Sequence, residues 1–203
     1  MRMFPLFVGV EGKKIVLAGE GRALKGKIEK MRPFGARMEV FTDDALPACP
    51  DMIIRPGLPR EEDLANAAFV LIAGAEKAEA ETLYALCKEK KIPVNTEDMP
   101  EACTFFFPAL ITRGGLTVGL STSGQSPAAA SILRERMEKQ VPERMEEILD
   151  WAQEIRGPVR ARVKEASVRR TVLKEAVRRA MDADRPLTGK EMEEIIQREE
   201  NKG

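Results

Sequence analysis

The sequence predicts an α/β protein: a doubly wound parallel sheet in its first half, then a helical and highly charged second half. Two observations carry this. Short, fully apolar runs alternate with segments of helical spacing from Lys14 to about Asp98, and continuous rather than alternating apolar strands belong to a parallel sheet covered on both faces. From Thr104 that alternation stops, and turn chemistry followed by charged helical spacing takes over.

Taken in order, "KIVLA" (Lys14 to Ala18) is a first strand ending in glycines, and "LKGKIEKMRPFG" after it reads as a helix that stops near Pro33 and Gly35. "ARMEVFT" (Ala36 to Thr42) is a second strand, "DMIIRPG" a short third, "REEDLANA" a short helix and "AFVLIAG" (Ala68 to Gly74) a fourth strand. "AEAETLYALCKEKK" has helical spacing, with Leu83 and Leu86 or Cys87 on one side, and "IPVNTED" (Ile92 to Asp98) restarts as a strand.

"TFFFPALI" and "LTVGLSTSG" read as two strands joined by the hairpin-like turn "TRGG". Ser126-Pro127 caps and opens a helix. Pro142 starts another, "ERMEEILDWAQEI", which Gly157-Pro158 is expected to end. A third helical stretch runs from about Val159 to Ala183, and Thr188 with Glu191 forms a capping box for a last helix.

Composition removes several classes of function. A chain of 203 residues holds one ordinary domain with an appendage, or two small ones. Its 33 Lys and Arg balance 33 Asp and Glu, so no global field recruits nucleic acid or an anionic membrane. No apolar run reaches bilayer length, and the start "MRMFPLFVGVEGKK" lacks the long apolar core of a signal peptide. A soluble, cytoplasmic protein is expected. Cys49, Cys87 and Cys103 contain no CxxC pair, which fits reduced thiols acting as small buried hydrophobes. There is no histidine. Ser-His-Asp and Cys-His chemistry are thereby removed, carboxylates, lysines, tyrosine and hydroxyls are left for proton transfer, and no resident transition metal is expected.

The residues that bear on chemistry cluster after the strands. Gly19 and Gly21 follow a strand and open a helix, the context of a dinucleotide fingerprint, in which the first glycine makes the turn and the second admits pyrophosphate to the helix N-terminus. Glu20 stands between them, and Leu24 occupies the place of a third small residue. A plain turn is the competing reading. Asp43 and Asp44 follow the second strand, where such folds place an acid on the adenosine ribose; an acid there favours NAD over NADP. Two acids opening a turn before "ALPACP" would look the same. Asp98 ends "IPVNTED" at the carboxyl edge of the sheet, with Glu97 beside it. It is a candidate general base, or equally a helix cap. "STSGQSP" offers hydroxyls and backbone donors before a helix. The run with Arg160, Arg162, Lys164, Arg169, Arg170, Lys174, Arg178 and Arg179 suits a polycarboxylate or, interlaced with Glu165 and Glu175, a solvated face.

In order along the chain, "FPLFVGVEGKKIVLAGEG", Lys27, "GARMEV", "FVLIA", "IPVNTED", "FFFPALITRGGLTVGLSTSGQSP" and "LRERME" resemble the precorrin-2 dehydrogenase family, which also forms the front of sirohaem synthases. The resemblance covers about Phe4 to Pro142. It implies an NAD-binding Rossmann domain over 1–107, an interlocking dimerisation region over 108–141 and a helical carboxyl-terminal domain over 142–203. It implies the oxidation of precorrin-2 to sirohydrochlorin with NAD as hydride acceptor, in a homodimer, with Asp98 as the catalytic carboxylate. NAD contacts fall on Gly19, Gly21, Arg22, Ala23, Asp43 and Asp44. Thr122 and Ser123 lie in the family's serine-glycine loop near the substrate, and Arg113 and Arg134 are candidates to meet its carboxylates. Two alternatives stand beside this reading: a bifunctional dehydrogenase and iron or cobalt chelatase, and a non-catalytic tetrapyrrole or dinucleotide carrier. The sequence departs from the family at Glu20, at Leu24 and at "AGAEKAEAE".

Overall fold

The structure, a computed structural model, describes residues 4–97 and 99–201. It divides into two compact units, Met1–Pro108 with Ser121–Pro127, and Ala109–Leu120 with Ala128–Gly203.

In the first unit the described residues form a five-stranded parallel sheet of order β3-β2-β1-β4-β5, with β1 Lys14–Gly19, β2 Arg37–Phe41, β3 Met52–Arg55, β4 Phe69–Ala73 and β5 Val94–Thr96. This is the Rossmann-like architecture that the apolar runs predict. On central β1, Val16 lies between Glu39 of β2 and Val70 of β4. Successive residues of β1 face opposite sides of the sheet. Ile15 and Leu17 pack with Leu24, Ile28 and Met31 of helix α1 (Gly21–Met31), whereas Val16 and Ala18 pack with Ala80, Leu83 and Cys87 of α2 (Lys77–Glu89). Both faces are covered, so every position of "IVLA" is apolar. Fully burying Ile15, Val16 or Leu17 contributes about 1.5–3 kcal/mol each.

The second unit holds the antiparallel hairpin β6 (Ala109–Arg113) and β7 (Leu116–Leu120), then helices α3 (Pro127–Glu138, all but its first residue), α4 (Met145–Glu154), α5 (Arg156–Arg162), α6 (Ala166–Asp182) and α7 (Gly189–Glu200). Ile148, Val159, Val163, Val172, Ala176 and Ile195 form its core. The Thr188–Glu191 capping box forms as expected: the Glu191 amide donates to Thr188 Oγ1 at 3.3 Å and the Thr188 amide to Glu191 Oε2 at 2.7 Å.

Three local expectations are corrected. Gly157-Pro158 does not end a helix; α4 has already stopped at Ile155, and these two residues lie in the first turn of α5, where proline's missing N–H leaves no hydrogen bond unmade. The single stretch expected from Val159 to Ala183 is interrupted at 163–165 between α5 and α6. "TFFFPALI" becomes strand only from Ala109, while Thr104 instead borders β5, its amide donating to the Val94 carbonyl at 2.9 Å. Among the described residues no helix is long and apolar enough to cross a membrane.

Candidate cofactor site

Parallel strands bring their carboxyl ends to one edge, and there the turns after β1 and β4 meet backbone to backbone. Gly19 has φ +131° and Gly74 φ +72°. A Cβ on Gly19 would stand 1.9 Å from the Ala73 carbonyl oxygen, and one on Gly74 would stand 2.2 Å from that of Glu20. No side chain fits either place. The Glu20 amide, held in this closure, donates to the Ala73 carbonyl at 3.1 Å, and the Glu20 side chain is exposed and caps nothing.

The capping of α1 comes from β2's side of the edge. The Gly21 amide donates to Asp44 Oδ2 at 2.7 Å, and the Lys25 ammonium lies 3.6 Å from the same oxygen. An anion at a helix N-terminus is favoured by the free amides and the helix dipole. A Cβ on Gly21 would meet nothing within 4 Å, so the space over the turn is open. The open space over the turn leaves room for a dinucleotide pyrophosphate at the start of α1, with Asp44 holding the Gly21 amide beside it. Arg22 is exposed, Ala23 half-buried, and Leu24 fully buried in the core beside Ile28. Leu24 therefore belongs to the packing between helix and sheet.

The two acids after β2 separate. Asp44 serves the glycine turn, whereas Asp43 accepts from the Gly57 amide at 3.1 Å and braces the turn that follows β3.

At β5, Asn95 and Thr96 are buried, and the Glu97 amide donates to the Ile72 carbonyl at 3.2 Å. Asp98 lies outside the described residues. Asn95 Nδ2 donates to the Phe105 carbonyl at 3.1 Å, and Lys27 Nζ donates to Asn95 Oδ1 at 3.4 Å while lying 4.3 Å from the Phe107 ring centroid. Burial pulls the Lys27 pKa below its ordinary value, opposed by the nearby Glu97 carboxylate.

In the serine-glycine loop, Thr122 Oγ1 accepts from the Ser126 amide at 3.1 Å and donates to its carbonyl at 3.0 Å. Ser123 adopts φ +54° and its amide donates to Ser121 Oγ at 3.1 Å. In the second unit Arg113 and Arg134 converge on Glu138, at 3.5 and 2.5 Å. Glu175 gathers Arg178, Arg179 and Arg198 at 2.9, 2.9 and 3.1 Å, so this part of the arginine run is a charge-paired helix surface. Sequence reasoning missed Gly74 and the Lys27–Asn95 pair. A glycine directly after an apolar strand could have signalled the first; the second joins residues far apart in the chain.

Residues 6–109, just over half of the chain, match the family model described as "Putative NAD(P)-binding". The chain belongs to this NAD(P)-binding family. Residues 113–140 match the model "Sirohaem biosynthesis protein central". Together the two matches bear out the resemblance drawn from the sequence motifs. Among curated relatives, a sirohaem synthase of Thioalkalivibrio sulfidiphilus is 32% identical over 176 residues, covering 84% of this chain and 36% of that protein. One of Neisseria meningitidis serogroup C is 26% identical over 176 residues, with 84% and 37% covered. The chain thus spans little more than a third of the length of these relatives. A solved structure, "SirC, precorrin-2 dehydrogenase", superposes with a TM-score of 0.72 at 20% identity, covering 98% of this chain and 100% of that one. It has the same fold as this NAD(P)-binding family member.

Proposed function

We propose that the chain oxidises precorrin-2 to sirohydrochlorin, using NAD, as a homodimer in the cytoplasm. The observation that carries the reading is the glycine turn: Gly19 and Gly74 close the turns after β1 and β4 backbone to backbone, and the space over Gly21 at the start of α1 is open. The order of the two family matches on one chain and the printed name of the structural neighbour support the substrate.

When bound, NAD supplies the hydride acceptor. Gly19, Gly21, Arg22 and Ala23 would hold the pyrophosphate. Asp44 would accept from the adenosine ribose hydroxyls, an acid that disfavours the 2′-phosphate of NADP, and Asp43 would support it by fixing the neighbouring turn. Removing a hydride from the macrocycle leaves a cation that must lose a proton, and Asp98, next after Glu97, is the carboxylate assigned to take or orient it. Thr122 and Ser123 would form one wall for the substrate. Arg113 and Arg134, whose shared partner Glu138 fixes their direction, would meet its carboxylates.

Anaerobic incubation with precorrin-2 and NAD, followed by sirohydrochlorin absorbance, tests the reading. Asp98→Asn is expected to lower turnover while leaving NAD affinity nearly unchanged. Binding of tetrapyrrole and NAD by the parent protein without turnover would make the protein a carrier, and an undiminished rate in Asp98→Asn would pass proton acceptance to water.

A further inference from the structure

Lys27 is a cation held inside the first unit. It lies in the second turn of α1 and is only partly exposed, and lysines in such places ordinarily carry their ammonium out to water. Here the ammonium stays in, between the Asn95 amide oxygen at 3.4 Å and the face of Phe107 at 4.3 Å. Among the described residues no carboxylate oxygen comes within ion-pair distance of it. An aromatic face and an amide dipole are its direct contacts, and the Glu97 carboxylate acts on it only from farther off.

Its partners do not end there. Asn95 Nδ2 donates onward to the Phe105 carbonyl at 3.1 Å and to Cys103 Sγ at 3.4 Å. The Val94 amide donates to Thr104 Oγ1 at 2.7 Å. Lys27 therefore ties α1, the helix that opens at the glycine turn, to β5 and to the 103–107 segment alongside it. Glu97 leaves β5 directly from this knot, and its carboxylate acts on Lys27 through space.

We propose that Lys27 is a positioning residue for the precorrin-2 oxidation put forward above, on which this inference rests. Clamped by Asn95 and Phe107, its ammonium fixes β5 and residues 103–107 against the cofactor helix, so that the turn leaving β5 meets the substrate in one geometry. The role needs a charge as well as length. Methionine fills the same space but has no N–H to donate to Asn95 and no charge to set over the face of Phe107.

Lys27→Met and Lys27→Arg in the full chain test this through three measurements: kcat and KM for precorrin-2 oxidation, calorimetric NAD affinity, and hydrogen exchange over 95–107. Lys27→Met is expected to lower kcat roughly ten- to a hundredfold, as misplacement of reacting groups does, with KM and NAD affinity nearly unmoved. Exchange should rise over 95–107 and not in β1 or β4. Lys27→Arg should restore the protection and most of kcat. An unchanged kcat in Lys27→Met overturns the proposal. So does a loss of kcat, NAD affinity and thermal midpoint together in both variants, which would mark plain core packing. If the parent protein fails to oxidise precorrin-2, the reading of the function falls, and exchange alone decides the clamp: unaltered protection over 95–107 in Lys27→Met overturns it.

Discussion

Replacing Asp44 by asparagine isolates what one carboxylate does for the glycine turn. Its Oδ2 accepts from the Gly21 amide at 2.7 Å and faces Lys25 at 3.6 Å, while Glu20 gives α1 no side-chain cap. A hydrogen bond to a charged group contributes about 1.5–3 kcal/mol. The Asp44 side chain is 28% exposed, and asparagine keeps a neutral oxygen in place, so the expected loss of stability is about 1 kcal/mol, or a fall in Tm of roughly 2–4 °C for a chain of this size. The effect on the dinucleotide is larger. An ionised acid accepts from the ribose and repels a 2′-phosphate. Asp44→Asn should therefore weaken NAD about tenfold, equivalent to about 1.4 kcal/mol, while NADP affinity stays level or improves. Asp43→Asn loses only the brace to Gly57 and should leave the preference for NAD nearly unchanged. Calorimetric titration of both dinucleotides against the parent and the two variants reads the difference. A change of preference in Asp43→Asn and none in Asp44→Asn would refute the division of labour between the two acids.

Two further outcomes follow from the packing and the charges. Leu24→Ala should destabilise the first unit by about 2–5 kcal/mol, the cost of emptying a fully buried leucine site, without improving NAD affinity; a variant that bound NAD markedly tighter would mean that Leu24 crowds the cofactor after all. In the second unit, hydrogen bonds from Arg178 first, then Arg179 and Arg198, hold the Glu175 carboxyl at about 2, and Arg185 with Thr188 holds Glu191 at about 2. A depressed carboxylate pKa supplies stability that is present above the unfolded value and lost as pH falls through the folded one. Acid titration followed by circular dichroism should therefore show the helices loosening between about pH 4.5 and 2, and Glu175→Gln should remove part of that transition. An identical acid profile in the variant would mean that these ion pairs contribute nothing measurable.

The sheet was legible because its signal is local. "IVLA" and "FVLIA" are apolar at every position, and only a strand covered on both faces asks for that. The capping box at Thr188 and Glu191 was legible for the same reason: three residues decide it. Gly157-Pro158 misled because the rule that proline breaks a helix holds for interiors and not for first turns, and composition alone does not say which of the two a dipeptide occupies. The site was legible as a set of strand ends, but its inner assignments were not. That Asp44 turns to Gly21 while Asp43 turns to Gly57 depends on where β1 and β3 lie relative to β2, which is a property of the sheet order. Lys27 and Asn95 are 68 positions apart, so no spacing rule connects them.

The chain's path between its two units has an evolutionary consequence. It leaves the first unit after Pro108, returns at Ser121 and leaves again after Pro127. No single cut separates one unit whole from the other, and a gene fragment stopping at Pro108 would encode the sheet without the serine-glycine loop. Such units cannot be exchanged by one recombination event in the way of beads on a string. A lineage that retains the sheet together with this loop must inherit the hairpin Ala109–Leu120 between them as well.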